Sequence, residues 1–234
     1  MKLDSYEPNI KEPEAREMVA VCDATYIGPG KWALVVRDPH KRENVYLNIV
    51  PFETTSAYQI ARGKLEEEGF VIKAFVGDGR VAVPWLFTDI PTQMCHFHQI
   101  QIITRYTTQN PKLEAGRELL DLVKTLPDTD EDSFIDAFNF WCRKWDSFLK
   151  EKTINPKTGK WQYTHKKLRS ARTSLRNHLP FLFTYLKYPE LKIPNTTNSL
   201  DGSFGKVKKS IAIHSGLKMK RKLKLIRTLI FGCD

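Results

Sequence analysis

Short apolar runs of strand length follow one another in the first fifty residues, after a polar start. They are Met18–Ala24, Trp32–Arg37 and Asn44–Val50. A Gly-Pro-Gly triplet, which favours a turn, separates the first run from the second. Because such short connections join strands that are neighbours in a sheet, the pattern predicts three antiparallel strands in a meander.

The next segment alternates between helix and strand. Thr54–Glu68 has apolar residues at helical spacing and is followed by Gly69, which predicts a helix that stops there. Phe70–Val76 predicts a fourth strand, Val81–Phe87 a short helix and Thr92–Cys95 a short fifth strand. A helix that connects a meander to further strands is typical of a mixed α/β sheet.

The pattern is helical from His98 to Tyr188, with breaks at prolines and in the loop Asn155–Gly159. A helix predicted over residues 131–150 has aromatic side chains on one face, and we interpret them as core rather than as a surface that stacks on bases. Two more helices are predicted over Asn198–Ser210 and Leu217–Ile230.

This order of elements predicts an α/β protein with an RNase H-like core. The core would be a mixed sheet of three antiparallel strands plus parallel strands, with a large all-helical insertion after the fifth strand. We divide the chain into a leader (1–17), the first part of the core (18–97), the helical insertion (98–190) and the final helices with the basic C-terminus (191–234).

Charge is distributed unevenly along the chain. Lysine and arginine number 37 against 27 acids, which gives a net charge of +10. Eight acids lie in Glu114–Asp136, whereas Lys152–Pro189 contains nine bases and no acid. Gly202–Cys233 also contains nine bases and no acid. Such long acid-free stretches favour contact with a polyanion, and we interpret them as nucleic-acid-binding faces rather than as ordinary solvated surface.

Composition excludes several other classes of protein. Hydrophobic residues make up 41% and charged residues 27%, as in globular domains. No apolar run reaches the ~18 residues that a membrane span requires, so no membrane partner is expected. Four scattered cysteines are too few for a disulfide framework and predict reduced thiols in a cytoplasmic protein.

Two aspartates follow strands that the predicted sheet places side by side. Asp23 ends the first strand and Asp78 follows the fourth. These strands would be parallel neighbours, so both carboxylates would lie at the edge where open α/β sheets bind ligands. Adjacent carboxylates repel each other unless a cation neutralises them, and Mg²⁺ prefers such oxygen ligands. Taken singly, each aspartate is more often a turn residue than a ligand.

Three further residues are candidates for chemistry. Asp201 is the only acid between Glu190 and Asp234 and would supply a third carboxylate, although an ordinary acid in a first helical turn is the alternative. Cys95 and His98 have the C-x-x-H spacing of half a Zn²⁺ site. Because the sequence offers no second pair, we interpret them instead as a buried thiol and a locally bonded imidazole.

Taken in order, the motifs that contain these residues resemble those of the DDE transposases of bacterial insertion sequences. The Mutator-like superfamily is the nearest match. The matching motifs are Asp23 in VCDATYIG, Asp78 in VGDGR, Cys95 and His98 in PTQMCHFHQIQ, and Asp201 in NTTNSLDGSFGKVKK. The resemblance implies a DNA cut-and-join enzyme with an RNase H-like fold and a helical insertion between the second and third acids. It also implies that Asp23, Asp78 and Asp201 are the catalytic acids and the ligands of two Mg²⁺ ions, for which Mn²⁺ would substitute.

Two features depart from the family's pattern. The family's third acid is usually glutamate, whereas Asp201 is one methylene shorter. Only residues 1–17 precede the first predicted strand, so we expect a catalytic domain without the usual N-terminal module that recognises DNA. Two alternatives therefore stay open: a catalytically inactive DNA-binding remnant of a transposase, and an RNase H-like metal-dependent nuclease.

The resemblance also implies the partners. The expected partner is double-stranded DNA, both the element ends and the target. The expected location is the cytoplasm, at the nucleoid. Whether the chain forms a homodimer is left open. Lys208 lies two helical turns after Asp201 and would contact a phosphate near the metals, with an ordinary solvated lysine as the equal alternative. The candidates for DNA contact are the basic residues Lys206, Lys208, Lys209, Lys218, Lys220, Arg221 and Lys222.

Overall fold

The computed structural model describes residue 10, residues 12–79 and residues 87–232. Its sheet has five strands in the order β3-β2-β1-β4-β5, with antiparallel and parallel pairs, so the predicted mixed α/β class is confirmed. The strands are β1 (Glu17–Gly28), β2 (Lys31–Asp38), β3 (Glu43–Val50), β4 (Val71–Gly77) and β5 (Thr92–Met94).

The central strand β1 is longer than its sequence pattern predicts. It pairs with β2 in the antiparallel direction as far as Gly28, and with β4 in the parallel direction as far as Val21. The prediction that Asp23 ends this strand is wrong. Because β2 continues as a partner beyond the last contact with β4, Asp23 lies within the strand, opposite Val35.

Helices cover both faces of the sheet and form a separate block after β5. No helix among the described residues has both the length and the apolar character needed to cross a membrane. The short helix predicted over Val81–Phe87 lies outside the described residues except for Phe87. The helices are α1 (Thr55–Glu67), α2 (His96–Thr107), α3 (Glu114–Lys124), α4 (Glu131–Lys144), α5 (Asp146–Lys150), α6 (Lys166–Leu182), α7 (Thr184–Lys187), α8 (Asn198–Ile213) and α9 (Met219–Phe231).

Alternation along β1 assigns its side chains to two different cores. Even-numbered residues such as Ala20 and Cys22 pack under α1, whose N-cap Thr54 accepts a hydrogen bond from the Ala57 N–H at 3.3 Å. Odd-numbered residues such as Val21 pack on the other face. That second core includes Val19, Val21, Val35, Val76, Leu200, Phe204, Val207, Ile226 and Ile230.

The block of helices from α2 to α7 has its own core. Phe134, Phe138 and Trp141 are buried in it, which confirms the aromatic stripe as core. The predicted insertion is not entirely helical, however. Two short strands, β6 (Lys152–Ile154) and β7 (Trp161–Tyr163), pair as an antiparallel hairpin around the loop that the sequence marks as a break. β-branched and aromatic residues favour strands there over a helix.

Buried hydrogen bonds attach this block to the sheet. Gln93 on β5 is fully buried, and its Nε2 donates to the carbonyl of Leu182 at 2.8 Å, while its Oε1 accepts from the N–H of Tyr185 at 3.0 Å. The same Leu182 carbonyl lies 2.6 Å from Nε2 of His96. A carbonyl only accepts, so the proton of His96 is on Nε2.

We expect Gln93→Leu to destabilise the protein by about 2–4 kcal/mol, because it leaves the buried Tyr185 N–H without an acceptor and removes a donor from the Leu182 carbonyl. Chemical denaturation measures the loss. The matched control is Gln101→Leu on the exposed side of α2, which should change stability by less than about 0.5 kcal/mol. Equal effects of the two substitutions would contradict this account.

Candidate active site

The sheet brings Asp23 and Asp78 close together. The parallel register of β1 and β4 ends with Val21 opposite Val76, and each aspartate is two residues further along the chain. The negative charge of Asp78 reaches Asp23 strongly enough to raise its pKa. Asp23 shares the face of Val21, which α8 covers, because side chains alternate along the strand.

Asp23 is a buried carboxyl group whose charged form is destabilised mainly by burial. Only 8% of the residue is exposed, and its Oδ1 accepts a hydrogen bond from the Ala24 N–H at 2.8 Å. Burial is the main reason that its pKa is raised to about 7, and the charges of Asp78 and Glu53 raise it further. The charge of His98 and the Ala24 hydrogen bond act in the opposite direction. A bound cation would therefore relieve a real electrostatic cost.

Cys95 and His98 lie beside this pair and stabilise each other's charged forms. Burial raises the pKa of the Cys95 thiol, but His98 and hydrogen bonds outweigh it, and the pKa ends below its usual value. Burial lowers the pKa of His98, yet Cys95 and then the two aspartates raise it to about 9. The Cys95 Sγ also accepts from the N–H of Thr197 at 3.3 Å. His98 thus supplies positive charge next to Asp23.

Asp201 occupies the first turn of α8 and is exposed. Thr197, one turn earlier, contacts Cys95, so the beginning of α8 lies at the same end of the sheet as the aspartates. Among the described residues, no three His, Cys, Asp or Glu side chains converge closely enough to hold a metal ion. The structure therefore does not bring Asp201 into one ligand group with Asp23 and Asp78, nor does it add ligands to Cys95 and His98.

A cleft of about 1030 Å³ opens beside Asp78, and Asp23 is not among the described residues that line it. Asp78 lies in its wall, α2 contributes His98 and Arg105, and α6 contributes Lys167 and His178. Arg105 and Lys167 are exposed, whereas His178 is buried. The cleft thus combines carboxylates at the edge of the sheet with cations on the surrounding helices, an arrangement suited to a polyanion that also meets a metal.

Sequence reasoning missed two residues of this site, Glu53 and His178. Glu53 is 9% exposed and accepts a hydrogen bond from the Tyr58 hydroxyl. Nδ1 of His178 lies 2.7 Å from Oε1 of Gln99, and burial lowers the pKa of this histidine. Glu53 precedes the cap of α1 and His178 lies within a basic helix, so no local pattern marks either one. Only tertiary packing brings them to the cleft.

The predicted DNA contacts point in several directions. Lys206 and Lys208 lie on different sides of α8, because two residues correspond to about 200° of helical rotation. Lys206 lines a separate pocket that also contains Arg37. Of the predicted contacts, Lys206, Lys208, Lys209, Lys218 and Lys220 are exposed, and Arg221 and Lys222 are half-buried.

No model of a known protein family matches the chain, and no curated protein is significantly similar to it. Function is therefore argued from the geometry and the charges of the cleft.

Asp23→Asn should reveal the electrostatic cost of the cleft. The pKa of Asp23 is about 7 in the folded protein against an ordinary value of 3.8, so the native state favours the protonated carboxyl. Its contribution to stability is present below pH 4 and is lost as pH rises through 7. Asparagine mimics the protonated form, so the variant should gain stability over the natural protein with rising pH, by up to roughly 4 kcal/mol at pH 8.

Denaturation of both proteins at pH 5 and pH 8, without divalent metal, measures this difference. Asp128→Asn, at an exposed position, is the control and should show no pH-dependent gain. A constant difference between Asp23→Asn and the natural protein at both pH values would refute the burial argument.

Proposed function

We propose that this chain is the catalytic domain of a DDE-type DNA transposase with an RNase H-like fold. The observation that carries the proposal is the placement of Asp23 beside Asp78, at the end of the parallel pairing between β1 and β4 and next to a cleft with basic walls. A buried carboxylate with an unfavourable charge balance is costly to maintain, which favours a role in chemistry over a role in stability.

The topology supports the RNase H-like part of the proposal. Three strands form an antiparallel meander, α1 crosses to β4, and β4 and β5 extend the sheet in parallel. The additional helices lie between β5 and α8, which places them between the second and third acids in the chain. Both features agree with the resemblance of the sequence to this class of transposase.

The donor set of the cleft suits Mg²⁺. Both Asp23 and Asp78 offer carboxylate oxygens, and Mg²⁺ is often held by one or two carboxylates together with substrate phosphates. Burial is the main cause of the raised pKa of Asp23, so a bound cation would stabilise its carboxylate form. When bound, Mg²⁺, or Mn²⁺ in its place, would activate water and stabilise the leaving 3′ oxygen during hydrolysis of DNA.

The chain's own residues would hold the DNA and keep the charges balanced. Arg105 and Lys167 border the cleft and would contact the phosphate backbone. His98, with a pKa of about 9, stays protonated at neutral pH because Cys95 and the aspartates outweigh its burial, so it keeps positive charge beside Asp23. After hydrolysis, the freed 3′ hydroxyl would attack a phosphodiester of target DNA in the same cleft. A new phosphodiester forms as the bond to the target's own 3′ oxygen breaks and that oxygen leaves as a hydroxyl.

The expected partners are double-stranded DNA element ends and target DNA, at the nucleoid of the cytoplasm. We also propose that two copies of the chain form a homodimer. Two long acid-free stretches support DNA as the ligand, since phosphate contacts by lysine and arginine give affinity without a choice of sequence.

One observation favours a second candidate function, a DNA-binding transposase remnant without activity. Asp201 is exposed and forms no ligand group with Asp23 and Asp78. An RNase H-like nuclease shares the carboxylate pair with the transposase. Joining of a cut 3′ end to a second DNA separates the transposase from the nuclease, and metal-dependent nicking separates both from the remnant.

Binding of Mg²⁺ or Mn²⁺ should raise the thermal midpoint. At ten times the dissociation constant, a ligand specific for the native state adds about 1.4 kcal/mol of stability. The double variant Asp23→Asn, Asp78→Asn should lose this shift. The double variant Asp128→Asn, Asp132→Asn in the acidic stretch removes the same charge and should keep it. If Asp23→Asn, Asp78→Asn shows the same rise in thermal midpoint as the natural protein, the ions bind elsewhere.

Nicking of DNA by the natural protein should require Asp201. Asp201→Asn keeps the size of the side chain and should lower the rate by about 10²-fold or more, the scale expected when a group that stabilises developing charge is removed. Asp201→Glu introduces the acid that is usual in the family that this sequence resembles. It tests whether a side chain longer by one methylene supports nicking better. Folding is checked by circular dichroism.

If Asp201→Asn nicks DNA at the rate of the natural protein, Asp201 is excluded as the third ligand. Glu53→Gln is then the variant to measure, because Glu53 is buried and its charge acts on Asp23. Loss of nicking in Glu53→Gln but not in Asp201→Asn would transfer the role to Glu53.

A further inference from the structure

The hairpin between β2 and β3 carries an unbalanced positive charge. Its two acids, Asp38 and Glu43, are opposite each other in the register and are both engaged by Arg16. The Arg16 Nε donates to Asp38 at 2.8 Å, and its second terminal nitrogen donates to Glu43 at 2.7 Å. The charged side chains nearest the turn of the hairpin, Arg37, Lys41 and Arg42, form no ion pair with these two acids among the described residues.

Arg37 is held in place but not neutralised. Alternation directs it to the face of the sheet opposite to that of Asp38. Its guanidinium donates to Oδ1 of buried Asn44 at 2.9 Å, and Asn44 in turn donates to the carbonyl of Ile230 at 2.7 Å. Within the described part of the chain, the buried Nε of Arg37 has no hydrogen-bond partner and Arg37 forms no ion pair. Burial and the charge of Arg42 lower its pKa, and the charge of Asp38 offsets only part of this lowering.

The turn that follows is also fixed in position. Oδ1 of Asp38 accepts hydrogen bonds from the backbone N–H groups of His40 at 2.9 Å and Lys41 at 3.1 Å. Arg42 adopts a left-handed backbone conformation with φ of 54°, which completes the turn. The side chains of Lys41 and Arg42 are exposed on this ordered turn. Little conformational entropy of the backbone would be lost when they bind a ligand.

These cations surround a pocket of about 600 Å³ between the hairpin, α8 and the end of α9. Lys206 of α8 joins Arg37, Lys41 and Arg42 in its lining. Among the described residues, Glu43, already bound to Arg16, is the one acid that lines it. Gly202 leaves space in the wall, since a Cβ there would meet no atom within 4 Å. In the part of the chain that the structure describes, this pocket and the cleft beside Asp78 have no lining residue in common.

We propose that this pocket binds a phosphate group through Arg37, Lys41, Arg42 and Lys206. The guanidinium of arginine matches phosphate oxygens with two parallel donors, and the lysines add point charges around the same anion. Two sources share this chemistry: the phosphodiester backbone of DNA and free inorganic phosphate. The site is separate from the proposed catalytic cleft and does not depend on the function proposed for it.

The experiment measures the thermal midpoint in EDTA while inorganic phosphate replaces chloride at constant ionic strength. EDTA prevents a metal at Asp23 from bridging to phosphate. We expect the natural protein to show a saturable rise, and the double variant Lys41→Gln, Arg42→Gln to bind at least about 10-fold more weakly. The control Lys157→Gln, Lys160→Gln removes the same charge from an exposed loop and should bind like the natural protein.

A second arm distinguishes the two sources with a short duplex DNA. If the backbone occupies the pocket, Lys41→Gln, Arg42→Gln should reduce the slope of log affinity against log salt by about 1.8, that is about 0.9 for each lost contact, and phosphate should compete with the duplex. An unchanged slope together with weakened phosphate binding assigns the pocket to free phosphate. No saturable rise in the natural protein, or equal phosphate affinity in the two double variants, would overturn the proposal.

Discussion

Strand β1 is hydrogen-bonded along both edges, to β2 in the antiparallel direction and to β4 in the parallel direction. The candidate site depends on the fact that the pairing with β4 ends before the pairing with β2. The parallel ladder stops at Val21, while the antiparallel one continues past Asp23. Asp23 is therefore fixed by a strand and buried, close to an aspartate that has just left β4. Ordinary backbone pairing thus holds together two carboxylates that repel each other. The adjacent imidazole of His98 outweighs the repulsion by Asp78, but burial still raises the pKa of Asp23 to about 7.

The second layer of the site comes from the block of helices, and buried polar contacts determine its position. Gln93 and His96 both reach the carbonyl of Leu182, at the end of α6, so the sheet and α6 are joined by side chains that exclude water. The same helix carries Lys167 and His178 to the cleft. Apolar packing alone tolerates small shifts, whereas directional hydrogen bonds specify one arrangement of the helices over the sheet.

The sequence was informative where a property depends on local periodicity and less so where it depends on distant packing. Short apolar runs of strand length, separated by turn signals, identified five strands in the correct order along the chain. They misplaced the end of β1, because its length is determined by β2 rather than by its own residues. Glu53 and His178 had no local signal, and the hairpin of β6 and β7 was hidden inside a helical pattern. Asp201 was found by motif, and its relation to the other two acids could not be inferred from spacing.

The face of β1 that carries Val21 is covered by Leu200 and its neighbours on α8, which follow almost 180 residues later in the chain. At synthesis rates of about 5–20 residues per second, roughly 10–35 s pass between the appearance of the two partners. The meander and α1 are complete long before that, so one side of a formed sheet stays apolar and open to water while the helices are made. During this interval the nascent chain is thus expected to be prone to aggregation through its uncovered apolar face.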